Sequence, residues 1–422
     1  MGASAVDVID HDTASKPQRT ILFVSHAGLW SGGAEVVLEQ MGRIASDLGF
    51  AVAIAAPPAA SLDSDVWAGA RRFDIPLESL QRTAVPLRAL RLMLSWMRTT
   101  LCLIGIIRKS QADIVHANSG VSALASCVAC ALLRRPLIWH QHDIVPARFV
   151  NRMVLSPCGH LSARIIAVSG AVARSLFAVG IPPAKIRVVH NAIRTQFLQP
   201  LPERQAARAA LDLPENAFLV AIVGRVVPYK GHRLLLEAAA ELRGVGIDVS
   251  IVIAGEPPRY APGDYDPFPN YRDDLVTRAS HPDLAGHVLF LGQVDEIHNV
   301  LAAVNVLAVP SENEPFPLVV LEAFAAGVPV VASDSGGHPE AIENEKNGLL
   351  FRSGDRDSLV ATLRRLVTEP QLASRLAAAG RVAAEQTFSE AAFSAQLAQV
   401  YAEVGTANRP AASPTPANAR NS

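Results

Sequence analysis

Glu314 and Glu322 are separated by seven residues in VPSENEPFPLVVLEAFAAG, the first in a loop after an apolar run and the second in an apolar segment with helical spacing. With a helix starting near Phe316, a rise of about 1.5 Å per residue sets the two carboxylates apart by roughly the length of a nucleoside-sugar fragment. One carboxylate can then hydrogen-bond a sugar ring while the other takes ribose hydroxyls. The amides around Phe316 and Leu318, unpaired at a helix start, favour phosphate oxygens between them. Upstream, VGRVVPYKGHRLLLEA places Arg225 just beyond another apolar run and Lys230 five residues later. A guanidinium fork and an ammonium point charge there can clamp a diphosphate, or serve as solvated loop charges. Only five of the 38 basic residues are lysines, which makes Lys230 conspicuous.

The first half of the chain offers polar groups at comparable places. SHAGLWSGGAEVVLEQ sets Gly32 and Gly33 ahead of an amphipathic run. Backbone without a β-carbon can approach a phosphate or sugar closely, and a tight turn explains the pair equally well. The segment does not fit G-x-G-x-x-G, and no G-x-x-x-x-G-K-[ST] occurs, which argues against a dinucleotide cofactor and a P-loop. DIVHANSG supplies His116 and Asn118; WHQHD supplies His140, His142 and Asp143. Asparagine can hydrogen-bond a sugar hydroxyl but cannot carry a proton. Strand-end histidines are as readily structural as chemical.

These residues need elements to hold them. Short apolar runs at TILFVS (20–25), AVAIAA (51–56), ADIVHA (112–117), PLIWH (136–140), RIIAVS (164–169) and IRVVHN (186–191) alternate with helical patterns. A Pro-rich stretch, 195–217, breaks the rhythm and reads as a linker. The alternation restarts with FLVAIVG, DVSIVIAG, HVLFLG, VNVLAVP and PVVAS. Strands alternating with helices predict α/β architecture with two doubly wound parallel sheets. The divisions expected are a disordered N-terminus 1–19, a first domain 20–194, the linker, a second domain 218–388, a helix 389–405 crossing back to the first domain, and a disordered tail 406–422. The carboxyl ends of both sheets then face a cleft, and the residues named above follow strands at that edge.

Taken together, E-x7-E in ENEPFPLVVLE, the following EAFAAGVPVVAS, GRVVPYKG and the early GGAE resemble retaining GT-B glycosyltransferases of family 4, from about residue 20 to 405. The resemblance implies two Rossmann-like domains, a nucleotide-sugar donor (UDP- or GDP-linked) held mainly by the second, an acceptor held mainly by the first, no cofactor and no obligatory metal. Residue by residue, Arg225 and Lys230 match the diphosphate clamp, Glu314 the carboxylate facing the donor sugar, Glu322 the one on the ribose, and Gly33 the glycine loop over the phosphates. Phe316 and Leu318 lend backbone to the same donor. Relatives often carry H-x-H after the third strand, where this chain has His116 and Asn118. The catalytic candidates are therefore Glu314, His142 and Asn118, with His116, His140 and Asp143 on the acceptor side. Pro315 stands where relatives often have glycine and removes one amide. Such enzymes are thought to transfer by same-face attack, the leaving phosphate helping to deprotonate the acceptor; positive charge near that phosphate stabilises the transition state.

Composition sets the outer bounds. A chain of 422 residues, 50% hydrophobic and with formal net charge −1, suits two globular domains and excludes a basic nucleic-acid binder. No run approaches the length of a membrane span, and four cysteines do not call for an oxidising compartment. Residues 1–200 hold 20 Lys and Arg against 12 Asp and Glu, with no acid between Glu78 and Asp113. The apolar, arginine-punctuated segment 82–109 reads either as a partly buried helix with a wet outer face or as one that meets anionic lipid. The expectation is a cytoplasmic enzyme, peripheral on the inner face of the cell membrane, building cell-surface polysaccharide on a glycan or lipid-linked acceptor. A nucleotide-sugar epimerase of the same fold and an inactive nucleotide-sugar-binding scaffold are the competing readings. Asp63-Ser64-Asp65 and Asp264-Tyr265-Asp266 imitate a metal motif of a different fold, Cys127 and Cys130 read as buried thiols, and the loop 257–273 reads as an acceptor-side lid.

Overall fold

The computed structural model describes residues 18–26, 32–58, 65–76, 86–258 and 266–406, the side chains of 86–93 and 406 excepted. The N-terminal segment 1–17, the tail 407–422, Asp63, Ser64, Arg82, Asp264, Tyr265 and the middle of the expected lid, 259–265, lie outside the described residues, as do the side chains of Arg88 and Arg91.

Seven parallel strands form the first sheet: β1 (Thr20–Val24), β2 (Ala51–Ala56), β3 (Arg71–Asp74), β4 (Ile114–Ala117), β5 (Leu137–Gln141), β6 (Arg164–Ala167) and β7 (Ile186–Val188), in the order β3-β2-β1-β4-β5-β6-β7. Six more form the second: β8 (Leu219–Val223), β9 (Ser250–Ala254), β10 (Val288–Gly292), β11 (Val306–Val309), β12 (Val330–Ser333) and β13 (Leu349–Phe351), in the order β10-β9-β8-β11-β12-β13. Helices cover both faces, so the central strands are buried on both sides and read as continuous apolar runs. This is the pair of Rossmann-like, doubly wound parallel sheets that the alternation predicts. Strands β3 and β13 were not among the predicted runs; both are sheet edges, one of them the exposed, charged RRFD.

In each sheet the strand order reverses direction once, between β1 and β4 and between β8 and β11. Loops leaving neighbouring strands diverge at such a point and leave a crevice. Lys230 follows β8 and Glu314 follows β11, whereas Gly33 follows β1 and Asn118 follows β4. Topology thus gathers at two points residues far apart in sequence.

The stretch read as a linker is not a plain connector. It holds the helix Arg204–Ala210, which packs on the helix Ile297–Ala303 of the second half. The buried Arg208 fixes it there, donating from Nε to the Ala303 carbonyl at 2.8 Å and from Nη2 to Asn305 Oδ1 at 3.0 Å. The helix Glu390–Thr406 lies on the first sheet, burying Phe393, Leu397, Val400 and Tyr401 with Ile21, Phe23 and Met41. Glu403 pairs there with Arg164 and Arg187, and Glu390 with Arg43. Cys127, Cys130 and Cys158 are free, buried thiols. Among the described residues no helix is long and apolar enough to cross a membrane.

Candidate active site

Lys230 Nζ donates to Glu314 Oε2 at 2.7 Å, with both side chains mostly buried. Backbone holds this pair from two directions. Gly231, at φ 80°, presses so closely on Pro310 at the end of β11 that a β-carbon would overlap the Pro310 carbonyl. Glu312 N–H in turn donates to the Tyr229 carbonyl at 2.8 Å. On the far side, the loop after β12 supports Glu314: Gly337 N–H donates to the Glu314 carbonyl at 2.7 Å, and Asn313 N–H to Ser335 Oγ at 3.2 Å. Gly336, at φ 61°, leaves no room for a β-carbon against the Glu314 backbone. His338 is buried beneath this loop with Nδ1 3.1 Å from Ser333 Oγ. Burial lowers it to about 4, although Glu314 pulls the other way. The sequence reading assigned nothing to Ser335, Gly336, Gly337 or His338. Their signal was the SGGH cluster directly after a strand.

Arg225 is exposed at the cleft. Across from it Asp143 is held above the usual carboxylate range by desolvation; nearby His26 and Arg225 oppose the rise, and Glu314 adds to it. The structure therefore brings Arg225, Lys230, Glu314 and Asp143 into one electrostatic neighbourhood spanning the two halves. Gly33 and Leu318 also meet, since a β-carbon on Gly33 would lie 3.1 Å from Leu318 Cδ1. The adjoining glycine is pinned by its helix, with Gly32 N–H donating to Glu35 Oε2 at 2.8 Å.

His142 and Asn118 are joined. Asn118 Nδ2 donates to the Ala34 carbonyl at 3.0 Å, which turns Oδ1 toward His142 Nε2, 2.9 Å away. The accepting oxygen requires the proton on Nε2 and leaves Nδ1 with the lone pair. Burial, reinforced by His26, depresses His142 to about 3, so the ring is neutral at physiological pH. Asn118 itself is 1% exposed with both ends of its amide engaged. It holds His142 in place through this pair of hydrogen bonds.

His116 and His140 lie deeper still. Both have zero exposure. His116 stacks on Phe23, and its Nδ1 lies 3.0 Å from the hydroxyl of Tyr401 in the returning C-terminal helix. His140 stacks on His142 with ring centroids 4.3 Å apart. These two rings are core that backs His142.

Glu322 and Phe316 are both largely buried. Glu322 lies in the helix Leu318–Ala325 but is nearly buried, with Oε1 taking a 3.0 Å hydrogen bond from Arg194 Nη2. Desolvation raises its carboxyl and Arg194 counters the rise. Arg194 is itself stacked 4.6 Å over Phe197. The Phe316 ring is buried on His190, 4.9 Å between centroids, so Phe316 offers a ligand only its backbone.

A second contact crosses between the halves. Glu340 accepts from the Gly170 and Ala171 amides at 2.6 and 2.9 Å, capping the helix Gly170–Ala178, and lies 3.0 Å from His190 Nε2. Desolvation alone would raise this carboxyl, but the His190 and amide hydrogen bonds hold it below 4.5. A depressed carboxylate contributes stability that is complete above its unfolded pKa and fades as pH falls through the folded one. Glu340→Gln is therefore expected to cost about 1–3 kcal/mol near neutral pH, with the deficit shrinking below about pH 4.5. Denaturant titrations of both proteins at several pH values test this, and a pH-independent difference would refute it.

Among the described residues no three His, Cys, Asp or Glu side chains converge on a possible metal position. The "Glycosyltransferase Family 4" profile matches residues 31–197, and "Glycosyl transferases group 1" matches 203–383. The chain belongs to glycosyltransferase family 4. Its family resemblance extends to the D-inositol 3-phosphate glycosyltransferase of Mycolicibacterium gilvum, 41% identical over 183 residues, which are 43% of this chain and 39% of that one. The protein of the same description from Mycobacterium avium is 36% identical over 54% of this chain and 51% of its own length. This family-4 chain thus matches about half the length, or less, of these relatives. The Streptosporangium roseum protein is 27% identical over 88% of each chain. In fold, the family-4 chain resembles Anabaena HepE in complex with UDP and glucose, with TM-score 0.75 and 23% identity over 90% of this chain and 99% of that one. It likewise resembles sucrose-phosphate synthase from Thermosynechococcus elongatus, with TM-score 0.75 and 22% identity over 92% of this chain and 100% of that one.

Proposed function

We propose that this protein is a retaining glycosyltransferase that moves a sugar from a UDP- or GDP-sugar to a glycan or lipid-linked acceptor. The reaction takes place at the cytoplasmic face of a membrane, in cell-surface polysaccharide biosynthesis. The observation that carries the reading is the Lys230–Glu314 pair at the switch point of the second sheet, with Arg225 beside it and Asp143 across the cleft. The solved fold relative bound to UDP and glucose supports the choice of donor class.

The chemistry follows from charge. A donor diphosphate competes with Glu314 for Lys230, and Glu314, released, accepts hydroxyls of the donor sugar. The glycosidic carbon–oxygen bond to phosphate breaks as the acceptor oxygen bonds to the same face, and the departing phosphate takes the acceptor proton. Lys230 and Arg225 stabilise the negative charge that grows on that phosphate, the term that lowers the barrier. Glu322, shared with Arg194, takes the ribose, and Gly33 closes over the phosphates. Neutral His142, its tautomer set by Asn118, accepts a hydrogen bond through Nδ1 without adding charge. Asp143 orients the acceptor.

Nucleotide binding tests the donor site. UDP or GDP, at about 100 times its Kd, is expected to stabilise the chain by nearly 3 kcal/mol, whereas CMP does not. Glu322→Ala abolishes the shift. Absence of a shift with every nucleoside diphosphate refutes the reading. Sugar released unchanged and attached to an acceptor excludes the epimerase; inositol 3-phosphate and lipid extracts are the first acceptors to compare.

A further inference from the structure

Three helices cover one side of the first domain, Pro86–Ser110, Gly120–Leu132 and Phe149–Leu161, with the middle one packed against both others. Ten of the eighteen large apolar side chains left exposed among the described residues belong to them. Phe149, Val150 and Met153 are 77%, 67% and 61% exposed, at spacings that share one helix face. Leu132 on the middle helix and Met97 and Leu101 on the long one are also exposed. Phe149, Val150, Met153 and Val154 lie next to one another or one turn apart, an exposed apolar cluster of the kind that marks a site of interaction.

Charge identifies what it meets. Between Glu78 and Glu203 the sequence has two carboxylates, Asp113 and Asp143, against fifteen Arg and Lys. Arg148 and Arg152 are exposed beside Phe149 and Met153, as are Arg98 and Arg108 on the long helix. A second copy of the same face would set arginine against arginine, whereas an anionic surface accepts both the charge and the apolar side chains. The arrangement also has a direction. Residues 142–148 run from His142 and Asp143 at the cleft directly to Phe149.

We propose that this three-helix face docks on an anionic lipid bilayer, with Phe149, Val150 and Met153 entering the acyl boundary and the arginines on the headgroups. The proposal deepens the membrane clause of the proposed function and rests on it. It moves the main anchor from the basic segment 82–109 to the helix Phe149–Leu161. It also places the cleft mouth at the lipid surface, where a lipid-linked acceptor arrives.

Co-sedimentation of the full chain with phosphatidylcholine vesicles, with and without phosphatidylglycerol, tests it, with nucleotide stabilisation measured on the same samples. The expected result is binding about tenfold or more stronger to the anionic vesicles at low salt, weakened by salt. The Phe149→Ser/Met153→Ser variant loses that binding about tenfold, and Arg148→Gln/Arg152→Gln weakens it, while nucleotide stabilisation is unchanged in both. Wild-type-like pelleting of the Phe149→Ser/Met153→Ser variant overturns the proposal, even if changing Arg98 and Arg108 abolishes binding. A dimer that the same variant turns into a monomer, with no pelleting, also overturns it. Pelleting as expected without any nucleotide stabilisation refutes the transferase reading and leaves this surface standing.

Discussion

Lys230→Ala is expected to lower kcat by about 10²- to 10³-fold, the loss typical of removing one preorganised group from a developing negative charge. Lys230 is held near its place before any substrate arrives: Gly231 presses on Pro310, and Glu314 lies 2.7 Å from the ammonium. Little reorganisation is needed when phosphate replaces carboxylate as its partner. The same substitution strands Glu314, a mostly buried carboxylate, without its cation. Breaking one side of such a pair costs about 3–5 kcal/mol, whereas replacing both sides costs far less. The ligand-free Lys230→Ala protein is thus expected to be markedly destabilised, and Lys230→Ala/Glu314→Gln to recover much of that loss without recovering activity. Lys230→Arg does not restore kcat, because a planar fork cannot occupy the seat of a point charge. Calorimetry and steady-state rates with UDP- and GDP-sugars decide this. Near-wild-type turnover in Lys230→Ala would show that the pair is structural only.

Gly336→Ala is the second large effect, and it acts through backbone. At φ 61° a β-carbon carries a strain of about 1–3 kcal/mol in any surroundings. At Gly336 it would also strike the Glu314 backbone, which has to shift. Displacing a reacting-site carboxylate by a fraction of an ångström to an ångström costs about 10²-fold in rate. Gly354→Ala is the matched control: its φ is 75°, but a β-carbon there meets nothing within 4 Å. Both variants are expected to lose stability, and only Gly336→Ala to lose activity. Equal rates in the two would sever the loop after β12 from the positioning of Glu314.

Eleven of the thirteen strands could be read from the sequence, because strands buried on both faces must be apolar runs. Strand β3 escaped because RRFD, exposed at the sheet edge, carries three charges in four residues, and β13 is a largely buried run of only three residues. The helix Arg204–Ala210 escaped because the flanking Pro200, Pro202 and Pro214 make the stretch resemble a linker, and its anchor, Arg208, is satisfied by carbonyls that come from Ala303, Pro214 and Glu215. The same limit applied at the site. Periodicity cannot reveal that the Asn118 amide is committed at both ends, that His116 faces Tyr401 from 285 positions away, or that Arg194 holds Glu322.

The sequence by itself determined the α/β architecture, the two-sheet division, and which residue types stand at the strand ends, since burial periodicity and strand-end chemistry are local properties of a chain. The tertiary structure decided which of those residues meet. It joined Lys230 to Glu314 and Asn118 to His142, buried His116 and His140 as core, and set Glu340 across the halves onto the helix Gly170–Ala178. Hydrogen bonds and ion pairs act only over a few ångströms, and it is the strand order, through its two switch points, that brings groups distant in sequence within that range.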